Sequence, residues 1–288
     1  MIKKPIKGMI IEKYSNMKSA YTCDRLKDEA RKKRIELSVI GIQDVSVVNK
    51  VVYCDGYKVE SCDFVINRYK WGHIKHEISQ LADRQYNNQK CFEKYINKYE
   101  QVKNITSDSF LMPKYCLATA YKDFDYLSGI LGIPFIAKGL ESSQGDEVFL
   151  INSKLELTDL LVKFKPDKEW LFQEFISISY GRDIRFYSIR GEVTACMTRK
   201  AASGFRANVA LGASVEGYEI TSQIRKIARD IYDQTNLDFL GIDLLFGEEK
   251  PFFCEINVMP GIEGIERATN INIAEKIIET IEGDLLSE

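Results

Sequence analysis

Two apolar segments near the carboxyl terminus constrain the fold most, because they have the composition of paired β-strands. Residues 239–246 and 252–257 are rich in Phe, Leu and Ile, and residues 247–251 separate them. Proline cannot donate a hydrogen bond within a sheet, so Pro251 belongs to the connecting loop. The sequence therefore predicts a hairpin of two strands.

The loop length predicts the register of this hairpin. A five-residue loop pairs Phe246 with Phe252, and the same register places Asp243 opposite Glu255. Because side chains alternate between the two faces of a strand, Asn257 shares the face of Glu255. The other face is apolar and is expected to pack against the core. Its residues are Ile242, Leu244, Cys254 and Ile256.

The face shared by Asp243, Glu255 and Asn257 is a candidate metal site. Two facing carboxylates repel each other unless a positive charge lies between them. Such oxygen ligands suit Mg²⁺, whose shell water and phosphate oxygens would complete. Periodicity alone leaves an exposed sheet face with unpaired acids as the alternative. The turn after Asn257 favours the metal site, since strand ends commonly hold ligands.

The first third of the chain predicts a small open α/β sheet. Strands with many β-branched residues alternate with a segment of helical apolar spacing. Cys54, Asp55 and Gly56 are a hairpin-turn signal. The strands are expected at residues 8–12, 35–40, 47–53, 57–59 and 63–67, the first helix at 17–34, and a mostly helical stretch at 71–105.

Strands and helices continue to alternate after Pro113. Helices are expected at residues 126–131, 155–164, 220–235 and 273–281, and strands at 134–138, 148–151, 170–176, 183–189 and 193–198. We therefore expect an α/β protein with α+β subdomains behind a small amino-terminal open α/β domain. The expected domain boundaries are residues 1–88, 89–172 and 173–288.

A polar loop, ESSQGDE at residues 141–147, follows the predicted strand that ends in Lys138. Small residues let backbone N–H groups approach phosphate oxygens closely, and Lys138 would neutralise phosphate charge. The GxxxxGK[ST] pattern of a P-loop does not occur in the chain. A plain surface turn is the alternative that a Ser/Gly loop leaves open.

Basic residues gather on the predicted hairpin of residues 183–198 and just after it. Arginine suits the paired oxygens of a carboxylate or phosphate, although a solvated face of ion pairs is the alternative. The cluster consists of Arg182, Asp183, Arg185, Arg199, Lys200, Arg206 and Asn208.

Charge and cysteine content narrow the classes of function. The chain has 40 basic and 42 acidic residues and a net charge of −2, so no global positive field attracts nucleic acid or an anionic membrane. No apolar run of transmembrane length occurs. Seven cysteines without CxxC spacing favour reduced thiols over disulfides or structural zinc. We expect a cytoplasmic protein without nucleic-acid or membrane partners.

A series of short motifs runs from about Asn88 to the carboxyl terminus. The motifs are NK (97–98), Pro113, FIAK (135–138), SQG (143–145), QEFI (173–176), GRDIR (181–185), TRK (198–200), FRAN (205–208), GID (241–243), EIN (255–257) and PGIEGIE (260–266). In this order they resemble the RimK-type glutamate ligases of the ATP-grasp superfamily. The first third of the chain looks like the small amino-terminal domain of these ligases.

The resemblance implies an ATP-grasp fold and an ATP-dependent carboxylate–amine ligase. It implies ATP and Mg²⁺ as cofactors, with two metal ions expected and Mn²⁺ as a substitute. The substrates would be a carboxylate and an amine of a small molecule or peptide, and the family often self-associates.

The resemblance also assigns roles to individual residues. Lys98 and Lys138 would contact phosphates, residues 173–176 would hold adenine, and Asp183 would meet the ribose. Arg199 or Arg206 would stabilise the acyl phosphate. The implied nucleotide-binding residues are Lys98, Lys138, Ser143, Gln144, Gly145, Gln173, Glu174, Phe175, Ile176, Asp183, Arg206 and Asn208, and the implied metal ligands are Asp243, Glu255 and Asn257.

The chain departs from the family pattern at two places. Glu147 stands where the family commonly has a glycine, and an acid beside phosphates is unfavourable unless it points away or pairs with a base. Ala210 and Leu211 replace basic residues, which predicts a substrate less acidic than glutamate unless Arg182 or Arg68 supplies the missing charge. A nucleotide-binding protein without ligation and an ATP-grasp phosphotransferase remain alternative functions.

Overall fold

The structure is a computed structural model that describes residues 5–13, 20–69, 72–142, 146–209 and 212–287. The predicted phosphate-loop residues Ser143, Gln144 and Gly145 lie outside the described residues, as do Ala210 and Leu211. Within the described ranges, no helix has the length and apolar character needed to cross a membrane.

The amino-terminal part is an open parallel sheet, as the predicted β-α-β order indicates. Its elements are β1 (Ile6–Glu12), α1 (Ala20–Lys32), β2 (Ile35–Gly41), β3 (Val45–Val48), β4 (Val51–Cys54), β5 (Tyr57–Lys58), β6 (Cys62–Asn67), α2 (His73–Ser79) and β7 (Ala82–Tyr86). Among the described residues the strand order is β2-β1-β6-β7. Met9 and Ile11 pack on one face of β1, and Ile10 packs on the other. A parallel strand covered on both faces has such a continuous apolar sequence.

The segment at residues 47–53 differs from the expected single strand. It is divided between β3 and β4, which form a small meander with β5. Asn49 and Lys50 make the turn, with φ angles of 49° and 68°. Two successive residues with positive φ suit a two-residue hairpin turn, and Asn tolerates this conformation.

The expectation of a mostly helical stretch at residues 71–105 is wrong in its middle. Strand β7 lies there and pairs with β6 in parallel. Its sequence, ADRQY, is too polar to be recognised as a strand. Tyr86 is fully buried, and its ring contacts those of Phe64 and Phe239. Burial of this one large ring therefore stabilises the strand.

The central part is an antiparallel sheet with helices on one face. The elements that lead into it and form it are α3 (Gln89–Tyr95), α4 (Lys98–Asn104), β8 (Tyr115–Thr119), α5 (Phe124–Leu131), β9 (Phe135–Gly139), β10 (Val148–Ile151), α6 (Lys154–Lys163) and β11 (Glu169–Glu174). The strand order is β10-β9-β11-β8 among the described residues. Phe135 and Ala137 of β9 pack under α5 and α6. The alternating residues Ile136 and Lys138 face the opposite way, towards a cavity.

The carboxyl-terminal part is a second antiparallel sheet. Its elements are β12 (Arg182–Ile189), β13 (Glu192–Lys200), β14 (Ser214–Gly217), α7 (Ser222–Thr235), β15 (Phe239–Leu245), β16 (Phe252–Asn257), α8 (Glu263–Thr269) and α9 (Ile273–Leu286). Within the described ranges the strand order is β14-β13-β12-β15-β16. The hairpin of β12 and β13 was predicted; the short elements β8, β14 and α8 were not, since each carries too few periodic residues for a sequence signal.

The predicted register of the hairpin is confirmed at Asp243 and Glu255 but is wrong next to the connecting loop. Asp243 pairs with Glu255, but Leu245, rather than Phe246, pairs with Phe252. A β-bulge between these two pairs inserts one extra residue on β16.

The bulge also changes which side chain of β16 enters the core. Phe253 is fully buried in the core, whereas Cys254, expected to face the core, lines the cavity. Burial of the larger apolar side chain favours this arrangement.

Lys75 on α2 is a charged side chain that is fully buried. Its Nζ atom has no hydrogen-bond partner among the described residues and lies 3.7 Å from the centroid of the Phe92 ring. Burial lowers the pKa of Lys75 to about 8, and the neighbouring Glu93 opposes this shift only in part. The charged form is therefore costly in the folded state.

Replacing Lys75 with Met should stabilise the protein at neutral pH. The folded-state pKa lies below the unfolded value, so the cost is fully present below pH 8 and fades as the pH rises towards 10.5. We expect Lys75→Met to raise the free energy of unfolding by roughly 2–3 kcal/mol at pH 7 and by less than about 1 kcal/mol at pH 10. Urea denaturation at both pH values measures this, with Lys90→Met at an exposed position of α3 as the control. An equal effect of Lys75→Met at both pH values would contradict the explanation.

Candidate active site between two sheets

A cavity that is partly open to solvent lies between the central and carboxyl-terminal sheets. Its walls contain most of the site residues predicted from the sequence. These residues are Lys98, Lys138, Gln173, Glu174, Phe175, Ile176, Asp183, Arg199, Arg206, Asn208, Asp243 and Glu255. Asn257 lies just outside the lining and donates a weak hydrogen bond of 3.4 Å from Nδ2 to Oε1 of Glu255.

Two lysines project into the cavity from different elements. Lys98 begins α4, and its Nζ donates to the backbone oxygen of Ser142 at 2.5 Å and lies 3.9 Å from Oε2 of Glu255. Lys138, on β9, reaches the backbone oxygen of Cys254 at 3.5 Å across the gap between the sheets. Both side chains are largely buried, so their charges are weakly screened and suit an anionic ligand.

Gln173 offers a buried polar group to a ligand. It lies on β11 opposite Ile136, on the sheet face that borders the cavity. Its Nε2 is buried and has no hydrogen-bond partner within the described structure. An unsatisfied amide of this kind costs about 1–3 kcal/mol. A planar ligand with a hydrogen-bond acceptor, bound beside Gln173 and the backbone of residues 174–176, would remove that cost.

The carboxylates of the carboxyl-terminal sheet are held by a chain of arginines. Arg199 donates to both oxygens of Asp183 at 2.7 Å and to Oδ2 of Asp243 at 2.9 Å. Arg185, directly opposite Asp243 in the register of β12 and β15, donates to both of its oxygens at 2.5 Å. Two-pronged pairs of this kind fix the carboxylates in position.

The two aspartates have different pKa shifts. Burial acts to raise the pKa of Asp243, but attraction to Arg185 and Arg199 outweighs it, and the pKa is lowered. For Asp183, burial dominates over Arg199 and raises the pKa to about 6. Both carboxylates are therefore predominantly ionised at neutral pH, with Asp243 the more firmly so.

The residues predicted to bind metal fit a divalent cation that arrives with additional ligands. Asp243 and Glu255 face one another across β15 and β16, and Asn257 lies beside Glu255. Within the described residues, no group of three or more His, Cys, Asp or Glu side chains is placed to hold a metal ion. Two carboxylates and an amide leave several positions of a Mg²⁺ shell for phosphate oxygens and water.

Glu147, the acid next to the expected phosphate loop, is paired with a base. Its carboxylate lies 2.5 Å from Nζ of Lys168, and Lys168 also lies over the rings of Phe164 and Trp170. Glu147 does not line the cavity. It packs against Gly139, where an added Cβ would lie only 1.9 Å from a carboxylate oxygen. Glu147 therefore needs a glycine opposite it and does not face a ligand in the cavity directly.

Arg185 and Cys254 are among the residues at the site that were not assigned a role from the sequence. Arg185 was part of the basic cluster, and its spacing of two from Asp183 on one strand was the available signal. Cys254 enters the cavity only because of the β-bulge, which no sequence signal marks. Arg182, by contrast, faces outward, where it donates to the backbone oxygen of Ile178 and lies over the Phe246 ring.

Comparison with known proteins agrees with this fold. The D-alanine–D-alanine ligase of Bacillus anthracis, solved with ATP, superposes with a TM-score of 0.74 and 17% identity over 99% of this chain and 98% of the other. The ATP-grasp ligase PsnB, solved with a minimal precursor, Mg and ADP, gives a TM-score of 0.70 and 14% identity over 96% of both chains. The fold is therefore that of the ATP-grasp enzymes.

Sequence comparison identifies the family. The family model of the RimK-like ATP-grasp domain matches residues 95–281. A probable alpha-L-glutamate ligase of Legionella pneumophila is 33% identical over 276 residues, which cover 91% of each chain. The chain belongs to the RimK-like ATP-grasp family, and it is an ATP-grasp ligase, an enzyme class that forms carbon–nitrogen bonds.

Placing Ala at Gly139 should disturb the Glu147–Lys168 pair. We expect Gly139→Ala to lower the free energy of unfolding by about 1–2 kcal/mol, because the new methyl group overlaps the Glu147 carboxylate. In a Glu147→Gly background, which also removes the Glu147 Cβ at 2.9 Å, the same change should cost less than about 0.5 kcal/mol, a coupling that a double-mutant cycle by urea denaturation measures. Gly129→Ala on α5, where a Cβ meets open space, is the matched control and should be neutral or stabilising. Equal costs in both backgrounds would show that Glu147 is not the obstacle.

Proposed function

We propose that this enzyme uses ATP to activate a carboxylate as an acyl phosphate and then joins it to an amine. The observation that carries the proposal is the composition of the cavity. Buried Lys98 and Lys138 line the same cavity as the carboxylates of Asp243 and Glu255, as binding of phosphates together with a divalent cation requires.

The proposed nucleotide position follows from the chemistry of the walls. The base would lie beside Gln173 and residues 174–176, where the unpaired amide needs a partner. The ribose would lie towards Asp183, and the phosphates towards Lys98 and Lys138. Residues 143–145, Arg206 and Asn208 are proposed to complete phosphate binding, because backbone amides and a guanidinium suit phosphate oxygens.

We assign the metal site to Asp243, Glu255 and Asn257. A bound Mg²⁺ would neutralise charge on the phosphates, and one or two ions fit this number of ligands. A neighbour solved with Mg and ADP supports this choice of cofactors.

The proposed reaction needs no covalent nucleophile of the protein. An oxygen of the substrate carboxylate attacks the γ-phosphorus of ATP, the bond to the β–γ bridging oxygen breaks, and ADP leaves. The nitrogen of the amine then attacks the acyl carbon, phosphate leaves, and the amine loses a proton to give the amide. The protein contributes position and positive charge, for which Arg206 and Arg199 are our candidates. Arg199 is bound to two carboxylates, so we propose that it acts mainly by holding them.

The proposed substrates are an amino acid and a small-molecule or peptide partner. Relatives named glutamate and D-alanine–D-alanine ligases and a neighbour bound to a precursor support this class. Ala210 and Leu211 favour an amino acid less acidic than glutamate, since neither can pair with a second carboxylate. Arg68 is an unsuitable replacement, because Glu12 lies 2.7 Å away and neutralises it. A cytosolic location, consistent with seven free cysteines, and self-association are part of the proposal.

Product analysis tests the proposed function. We expect ADP, phosphate and an amide, detected by mass spectrometry, only when an amino acid and an acceptor are both supplied. Neutral amino acids should outcompete glutamate. Glu255→Ala should abolish turnover because a metal ligand is lost, while leaving the free energy of unfolding within about 0.5 kcal/mol. Glu248→Ala in the exposed loop is the control. A phosphorylated small molecule without an amide would indicate a phosphotransferase, and nucleotide binding without any product would indicate a binding protein.

Lys138 provides a separate test of the phosphate site. Lys138→Met keeps the aliphatic stem and removes the charge, so we expect ATP affinity to fall about 10- to 100-fold, as the loss of a hydrogen bond to a charged group implies. Isothermal titration with ATP measures this, and Lys165→Met at an exposed position is the control. Unchanged affinity and rate in Lys138→Met would remove Lys138 from the site.

A further inference from the structure

Arg185 meets the candidate metal ligand Asp243 in an unusual way. It donates from Nε to Oδ1 and from Nη2 to Oδ2, both at 2.5 Å, from the neighbouring strand. Arg199 adds a third hydrogen bond to Oδ2. Both oxygens that would bind a cation are therefore already engaged by cations.

The charge balance around Asp243 disfavours a metal ion that arrives alone. Arg185 and Arg199 together balance Asp243 and Asp183, and their side chains are mostly buried. The other carboxylate ligand, Glu255, has Lys98 at 3.9 Å. A divalent ion entering this cluster meets no excess of negative charge to replace its hydration shell.

We propose that Arg185 is a positioning residue that makes metal binding depend on the nucleotide. This inference rests on the proposed function, because the phosphates of the nucleotide supply the negative charge that the cluster lacks. Arg185 keeps Asp243 aimed at the cavity and cancels its charge until a metal–nucleotide complex arrives. The metal ion then binds only together with the phosphates whose charge it neutralises.

A purely structural role for Arg185 leads to a different expectation. Loss of Arg185 weakens the fold under either role, but if the pair only satisfies a buried carboxylate, metal affinity stays unchanged or falls. If Arg185 cancels the charge of Asp243, its loss leaves Arg199 shared between two carboxylates, and the net negative charge attracts a cation.

Binding of Mn²⁺, a paramagnetic substitute for Mg²⁺, distinguishes the two roles. Free Mn²⁺ is measured by electron paramagnetic resonance, with and without ADP, on the full chain. We expect the unmodified protein to bind Mn²⁺ tightly only with ADP. Arg185→Met should bind Mn²⁺ in the absence of ADP at least tenfold more tightly than the unmodified protein does under the same conditions. Adding Asp243→Asn should remove this gain. Arg182→Met, on the same strand but directed away from Asp243, should behave like the unmodified protein.

A second variant separates charge from hydrogen bonding. Arg185→Gln can still donate to Asp243 but carries no charge, so it should show the same gain. Tight binding of Mn²⁺ alone by the unmodified protein, or no gain in either variant, would overturn the inference, as would failure of both variants to fold. Failure of the proposed function is distinguishable, because the unmodified protein would then bind no Mn²⁺ even with ADP.

Discussion

A charge that is buried between two sheets needs a partner, and Arg199 meets this need for two carboxylates at once. Its guanidinium joins Asp183 on β12 to Asp243 on β15, and Arg185 completes the chain from the other side. Removing one member would leave an uncompensated charge in a poorly solvated place, which commonly costs 3–5 kcal/mol. The two arginines and the two aspartates therefore depend on one another for their stability.

Strand β12, which carries Asp183 and Arg185, also packs against the amino-terminal part of the molecule. Asp183 of β12 lines the cavity and Arg185 donates to Asp243, whereas Tyr187 and Ile189 pack with the amino-terminal sheet and α9. Asn87 strengthens this junction, because its Nδ2 donates to the backbone oxygens of Phe239 and Val258, beside both strands of the metal site. The position of the candidate metal ligands thus depends on the amino-terminal part.

The acid beside the expected phosphate loop is accommodated locally. Lys168 pairs with Glu147, and Gly139 leaves room for it. The structure thereby meets the condition under which an acid near the phosphate loop is tolerated. Binding of an anionic nucleotide and the presence of Glu147 are compatible, because the carboxylate is neutralised and lies outside the cavity lining.

The sequence by itself determined the elements with strong periodicity, the pairing of Asp243 with Glu255 and most of the residues that meet in the cavity. These follow from local alternation and from motifs whose order is specific to one family. Only the tertiary structure decided the strand β7, the bulge that turns Cys254 into the cavity, and the arginine partners of Asp243 and Asp183. Each of these depends on residues distant in sequence: Tyr86 gains its stability from Phe239, and Asp243 gains its cations from β12 and β13. Local sequence patterns cannot predict such packing and charge pairing, because these residues come into contact only when the sheets assemble.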